Sequence, residues 1–257
     1  MPVATFLIRP ALSLVVSMNS FKTKMETPPA ARKFFGCVSR RPRWGLARRG
    51  WLALLAAVFF TALVWVLNVQ PFLAPTQRLD TKILVVEGWI PSYALRLAAA
   101  EFRAGHYEKV YTTGGPVAGS DGATNIFNTV ANGGGDALLA AGVAADAVQV
   151  VPAHSVGRDR TYTSALALRD WFREHHLNVT ALNVVSADVH SRRTRLLFQR
   201  AFGSEVKVGI VAIPDPDYEP RRWWRYSEGV REILGETIAY GYAKFIFTPE
   251  KSGGQVP

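Results

Sequence analysis

Residues 181–194 read ALNVVSADVHSRRT. The first six, Ala181–Ser186, form a compact apolar run of strand length, without the alternation of a sheet that shows one face to water. Such a strand is buried on both faces. The helical pattern Val189–Phe202 follows at once and is stopped by Gly203. Between the two, Ser186, Asp188, His190, Arg192 and Arg193 crowd the carboxyl end of the strand. A buried strand that ends in polar residues and feeds a helix is the repeating unit of a parallel α/β sheet.

The same unit recurs on both sides. Ile83–Val86, Lys109–Thr113, Val148–Val151 and Val206–Ile213 are further strand candidates. Helical stretches separate them: Pro91–Ala104, with proline in its first turn and Gly105 beyond its end, Asp136–Ala141, and Thr161–His176. Trp223–Phe247 has long helical periodicity, and the Gly-, Asn- and Ser-rich residues 117–135 are expected to form a long functional loop. The expected fold is α/β: a three-layer parallel sheet of about five strands over residues 82–247.

Upstream, Trp51–Val69 reads WLALLAAVFFTALVWVLNV, without a charge. Nineteen residues give a helix of roughly 28 Å, close to the hydrocarbon thickness of a bilayer. Trp51 and Trp65 sit towards its ends, where indoles favour the interface, and Pro71 and Pro75 are expected to stop it. Residues 70–81 then read as a linker and 248–257 as a tail. Val3–Val16 is broken by Arg9 and Pro10 and is too short to span; Met1, Met18 and Met25 are all possible starts.

The formal charge of +10 lies almost wholly before this segment. Residues 1–50 carry ten Lys and Arg against Glu26 alone, and residues 51–257 carry the other 20 basic and 19 acidic residues. A nucleic-acid-binding body needs a basic face for which this body has no surplus, so no nucleic acid is expected. Positive flanks stay cytoplasmic. The expectation is a single-pass protein of the inner membrane, with residues 1–50 as a cytoplasmic arm and the α/β domain outside, its partners the lipid bilayer and a lipid-linked or anionic small molecule. Cys37 is the one cysteine, so neither an intrachain disulfide nor a cysteine metal site can form.

In parallel sheets ligands sit at the carboxyl ends of the strands. There the sequence places Glu87-Gly88-Trp89, Thr113-Gly114-Gly115, His154-Ser155 leading to Asp159-Arg160-Thr161, and the segment quoted first. Glu87 suits a general base or a ligand, and equally a helix cap or the partner of an arginine. Gly88 allows a sharp turn, and Gly114 and Gly115 free backbone N–H groups for an anion. Asp159, Arg160 and Thr161 suit a helix cap or a ligand contact. Arginines at a helix N-terminus oppose the helix dipole, so Arg192 and Arg193 call for a negative neighbour: a phosphate, a carboxylate ligand or Glu87. His190 and Arg193, three apart on one helix face, can move a proton and hold an oxyanion. Asp215, Asp217 and Glu219 read as a solvated loop, with a share in a metal site as the alternative, and Arg221-Arg222-Trp223-Trp224-Arg225 as helix packing or a lipid-headgroup contact. Neither a Walker A pattern nor a dinucleotide fingerprint is present; no residue is assigned to a metal, and the sequence leaves the cofactor and metal dependence open.

Glu87-Gly88, Val110–Gly115, Gly142-Val143, Asp159-Arg160-Thr161 and Val185-Ser186 with His190-x-x-Arg193 together resemble the YdcF/SanA/ElyC family over about residues 82–247. The resemblance implies a Rossmann-like fold behind one anchor helix and an association with the cell envelope and its peptidoglycan precursors. Two features depart from the family pattern: Glu87-Gly88-Trp89 replaces a run of glycines, and Asp159-Arg160-Thr161 stands where Ser/Asn-Thr is usual. The function then expected is hydrolysis or transfer of a phosphate or sugar-phosphate group of an envelope precursor, with Glu87, His190 and Arg193 catalytic and Gly88, Gly114, Gly115, Asp159, Arg160, Thr161, Ser186 and Arg192 binding ligand. The alternative is a non-catalytic module that binds an anionic or nucleotide-like ligand.

Overall fold

A computed structural model describes residues 38–39, 45–118, 124–153 and 159–249, with backbone only at 38–39, 118 and 124–127. His154, Ser155 and most of the N-terminal arm and of the tail lie outside the described residues. Contacts divide the chain into two compact units, Met1–Phe59 and Phe60–Pro257. In the first, Val38–Ser39 pairs antiparallel with Gly45–Leu46.

The second unit holds a five-stranded sheet: β1 Ile83–Glu87, β2 Lys109–Gly114, β3 Val148–Pro152, β4 Ala181–Ala187 and β5 Lys207–Ile213. Every pairing is parallel, in the order β3-β2-β1-β4-β5. The order reverses at β1, so the crevice between β1 and β4 is the switch point where such sheets place ligands. The unbroken apolar strands follow from two cores. Val85, Val184 and Ile210 enter one, with Leu168 and Phe172 of α4 (Arg160–Glu174) and Leu197 and Phe198 of α5 (Ser191–Phe202). Leu84, Val86, Val185 and Val211 enter the other, with Ala94 and Ala98 of α2 (Ser92–Ala104) and Leu138 of α3 (Val130–Ala140). Successive residues of one strand thus face opposite layers, and both faces are dry.

Three segments differ from the sequence expectation. Residues 117–135 are not one loop: Pro116–Ala118 pairs antiparallel with Thr124–Thr129, and α3 starts at Val130. Thr129 caps α3, accepting from the Asn132 N–H at 3.2 Å. Two of the three glycines inside α3, Gly134 and Gly135, serve close packing instead of a turn, while Gly133 faces open space. A Cβ on Gly134 would stand 2.8 Å from the Gly88 Cα, and one on Gly88 would stand 2.1 Å from the Val130 carbonyl oxygen. Two glycines let the helix backbone lie directly on the end of β1.

The apolar helix α1 spans Arg48–Leu73 and continues through Pro71. It is one helix long and apolar enough to cross a membrane. Its last turns belong to the domain: Val69 and Leu73 are buried with Val189, Tyr218, Trp223 and Ile233. The linker is also held. Gln77 bridges to Ile210, and the buried Asn183 side chain accepts from the Leu79 N–H and donates to the Leu79 carbonyl, both at 2.9 Å. The last helical stretch is two elements, a 3-10 turn Pro220–Arg225 and α6 Ser227–Phe245.

Candidate functional site

A cleft of about 840 Å³ opens at the carboxyl ends of the strands. Glu87, Gly114, Gly115, Asp159, Arg160, Thr161, His190 and Arg193 all line it, joined by Asp188, Asp215, Tyr218, Glu232 and Glu236. Three expected ligand contacts do not. Gly88 is spent on the approach of α3, Ser186 is wholly buried beneath the cleft, and Arg192 turns away. Arg192 Nε donates to the Phe72 carbonyl, and its guanidinium lies 3.9 Å from the centre of the Phe72 ring.

Glu87 forms the floor and is 2% exposed. The register that sets Val86 beside Val185 brings it alongside Ser186. Its Oε2 accepts from Ser186 Oγ at 2.5 Å and from Thr194 Oγ1 at 2.9 Å. Both bonds fall on one oxygen, so among the described residues Oε1 is left without a partner. Glu87 does not pair with the arginines of α5.

That partner is Glu236 of α6. Arg193 grips it in a fork, Nε to Oε2 and Nη2 to Oε1, both 2.9 Å. His190 Nδ1 lies 2.8 Å from Glu236 Oε1 and 2.8 Å from Arg193 Nη2. A proton on Nδ1 is held by Glu236; a proton on Nε2 leaves Nδ1 free to accept from Arg193. Burial alone would raise the Glu236 carboxyl, but the hydrogen bonds and charges of Arg193 and His190 overcome it and hold the group at about 2. Trp89 packs against His190 edge to face, ring centres 4.6 Å apart.

The same 3-10 turn that carries His190 also brings an acid into the cleft. Asp188 sits at φ 27°, strained for a residue with a side chain, and is buried. Gln70 Nε2 donates to its Oδ1 at 3.0 Å and the Tyr218 hydroxyl donates to Oδ2. Burial pushes Asp188 up to about 6, helped by Asp215, against the hydrogen bonds from Tyr218, Gln70 and the Val189 backbone. Burial, then the negative charges of Asp215 and Asp188, push the Tyr93 hydroxyl up to about 12. Among the described residues no group of three His, Cys, Asp or Glu could hold a metal ion.

Glu236, Thr194, Tyr218 and Gln70 went unread in the sequence. Glu236 carried a signal: it falls three residues after Ile233 and seven before Ala243, on the stripe that α6 buries. A charged residue at a core-facing position needs a partner. No protein-family model, no curated protein and no solved structure matches this chain.

Proposed function

We propose that the chain is a single-pass protein of the inner membrane, with its N-terminal arm cytoplasmic and its α/β domain outside. We further propose that the domain, like the YdcF/SanA/ElyC family it resembles, hydrolyses or transfers a phosphate or sugar-phosphate group of an envelope precursor. The observation that carries the activity is the His190–Glu236–Arg193 constellation on the wall of the switch-point cleft. A histidine oriented by a carboxylate is the arrangement of a general acid–base. Glu236 fixes the ring, the second ring nitrogen exchanges the proton with the leaving or attacking oxygen, and Arg160 with the backbone of Gly114 and Gly115 holds the anion. Arg193 is already neutralised by Glu236, so its part is to position Glu236 and to offer its remaining N–H groups. Orientation is supported by the arginines before Trp51, including Arg48 and Arg49 at the start of α1.

The test is phosphate release from a polyprenyl diphosphate by the full chain in lipid vesicles. His190→Ala is expected to lower kcat by about 100-fold or more, as loss of a general acid–base does. Glu236→Gln should cost less, because it disturbs orientation and leaves the imidazole. Undiminished turnover in both His190→Ala and Arg193→Ala would sink the assignment. The absence of a hydroxyl or thiol nucleophile in a strained elbow among the described residues favours, as second reading, a binding module. Thermal stabilisation by the diphosphate without any product would select it.

A further inference from the structure

The segment Pro220-Arg221-Arg222-Trp223-Trp224-Arg225-Tyr226 sorts its side chains sharply. Trp223 is 4% exposed; its Nε1 donates to the Val66 carbonyl at 2.9 Å and its ring meets Trp65 edge to face at 5.9 Å. Trp224 and Tyr226 are 42% and 40% exposed, and all three arginines point to solvent. Arg222 has only a loose pairing with Glu219, 4.0 Å apart, and Arg221 and Arg225 have no ion pair among the described residues. One buried indole thus fastens a basic and aromatic surface to α1 at Trp65–Val66.

The position of that attachment matters because of length. Residues 51–65 of α1 are all exposed, and from Val66 onward the helix begins to pack on the domain. Fifteen residues rise about 22 Å, against about 30 Å of hydrocarbon, and tilting only increases the length required. A span that begins at Trp51 therefore has no spare helix to serve as a stalk. The domain surface beside Trp65 is brought down to the lipid. Arginine, indole and phenol are the side chains that the headgroup layer accepts.

We infer, on the basis of the membrane anchor proposed above, that Pro220–Tyr226 is a phospholipid-headgroup contact. Arg221, Arg222 and Arg225 hold lipid phosphates, and Trp224 and Tyr226 lie at the edge of the hydrocarbon. Asp215, Asp217 and Glu219, just before this stretch, balance its three arginines, so the contact reads individual phosphates and not a bulk negative potential. The contact fixes how the domain stands on the bilayer.

The test places a nitroxide at a single cysteine in the full chain, with Cys37→Ser as background. The chain is reconstituted in vesicles of phosphatidylethanolamine with a minor fraction of phosphatidylglycerol. Val58→Cys reports the span and Tyr226→Cys the proposed contact, each read by collision with oxygen and with a water-soluble nickel chelate. Both labels are expected to favour oxygen, Val58 at greater depth. Adding Arg221→Glu, Arg222→Glu and Arg225→Glu should make the Tyr226 label accessible to nickel while Val58 stays unchanged. A Val58 label in hydrocarbon with a Tyr226 label in water overturns the headgroup contact and leaves the anchor standing. A Val58 label in water overturns both. A Tyr226 label shielded from both reagents means a protein contact and also overturns the inference.

Discussion

Asp188 is a buried carboxyl whose surroundings work against its charge. Its carboxyl is held at about 6 against a usual 3.8, with burial the leading cause. Between those values the folded chain binds more protons at this position than the unfolded chain. Stability from this group is therefore full below about 4 and is lost as pH rises through about 6. A shift of two units corresponds to about 3 kcal/mol. Glu236 acts in the opposite sense in a lower window: with its folded value at about 2, its contribution is present above the usual carboxyl range and is lost as pH falls. Asp188→Asn, measured by urea unfolding across pH 4 to 7, is expected to flatten the decline of the parent protein in that window. An identical decline in the variant would show that Asp188 is not its source.

At the scale of elements, α3 is where sequence pattern and structure part most clearly. Ala131-Asn132-Gly133-Gly134-Gly135 has the composition of a loop, since glycine disfavours a helix interior by about 1 kcal/mol per residue relative to alanine. Tertiary packing overrides it at two of the three glycines: a Cβ on Gly134 would strike Gly88 and one on Gly135 would strike Val150, while Gly133 faces open space. No periodicity in a single sequence reveals that two backbones must touch. The strands were legible because burial on both faces leaves short runs without strict alternation, unbroken in Leu84-Val85-Val86 and interrupted by polar residues such as Gln149 and Asn183. The cleft was legible as far as strand ends and helix starts expose it, which covers Glu87, His190 and Arg193. Glu236 arrives from α6, 43 residues beyond Arg193, and its pairing is a product of the fold. Gly88→Ala tests the contact: a Cβ 2.1 Å from the Val130 oxygen must push α3 away, at about 2 kcal/mol. For a domain of this size that is a fall in Tm of about 6 °C. An unchanged Tm would mean that α3 does not rest on Gly88.

At the scale of the whole molecule, the apolar helix and the domain share a core. Val69 and Leu73 are 4% and 1% exposed, the Trp223 indole N–H is spent on the Val66 carbonyl, and Gln70 supplies a hydrogen bond to the strained Asp188. The domain therefore begins near Trp65, before the first strand and inside the apolar segment itself. A chain that starts at Trp65 keeps these contacts and is expected to fold. A chain that starts at Ala74 loses two buried side chains, at about 1.5–3 kcal/mol each. It also bares Trp223 and Ile233 and leaves Asp188 without Gln70. The sum is comparable with the 5–15 kcal/mol that separates folded from unfolded in ordinary domains. The shorter chain should aggregate, or melt far lower and with little cooperativity, when both are followed by thermal unfolding in the same buffer. If the two melt alike, the end of α1 is not part of the domain's core.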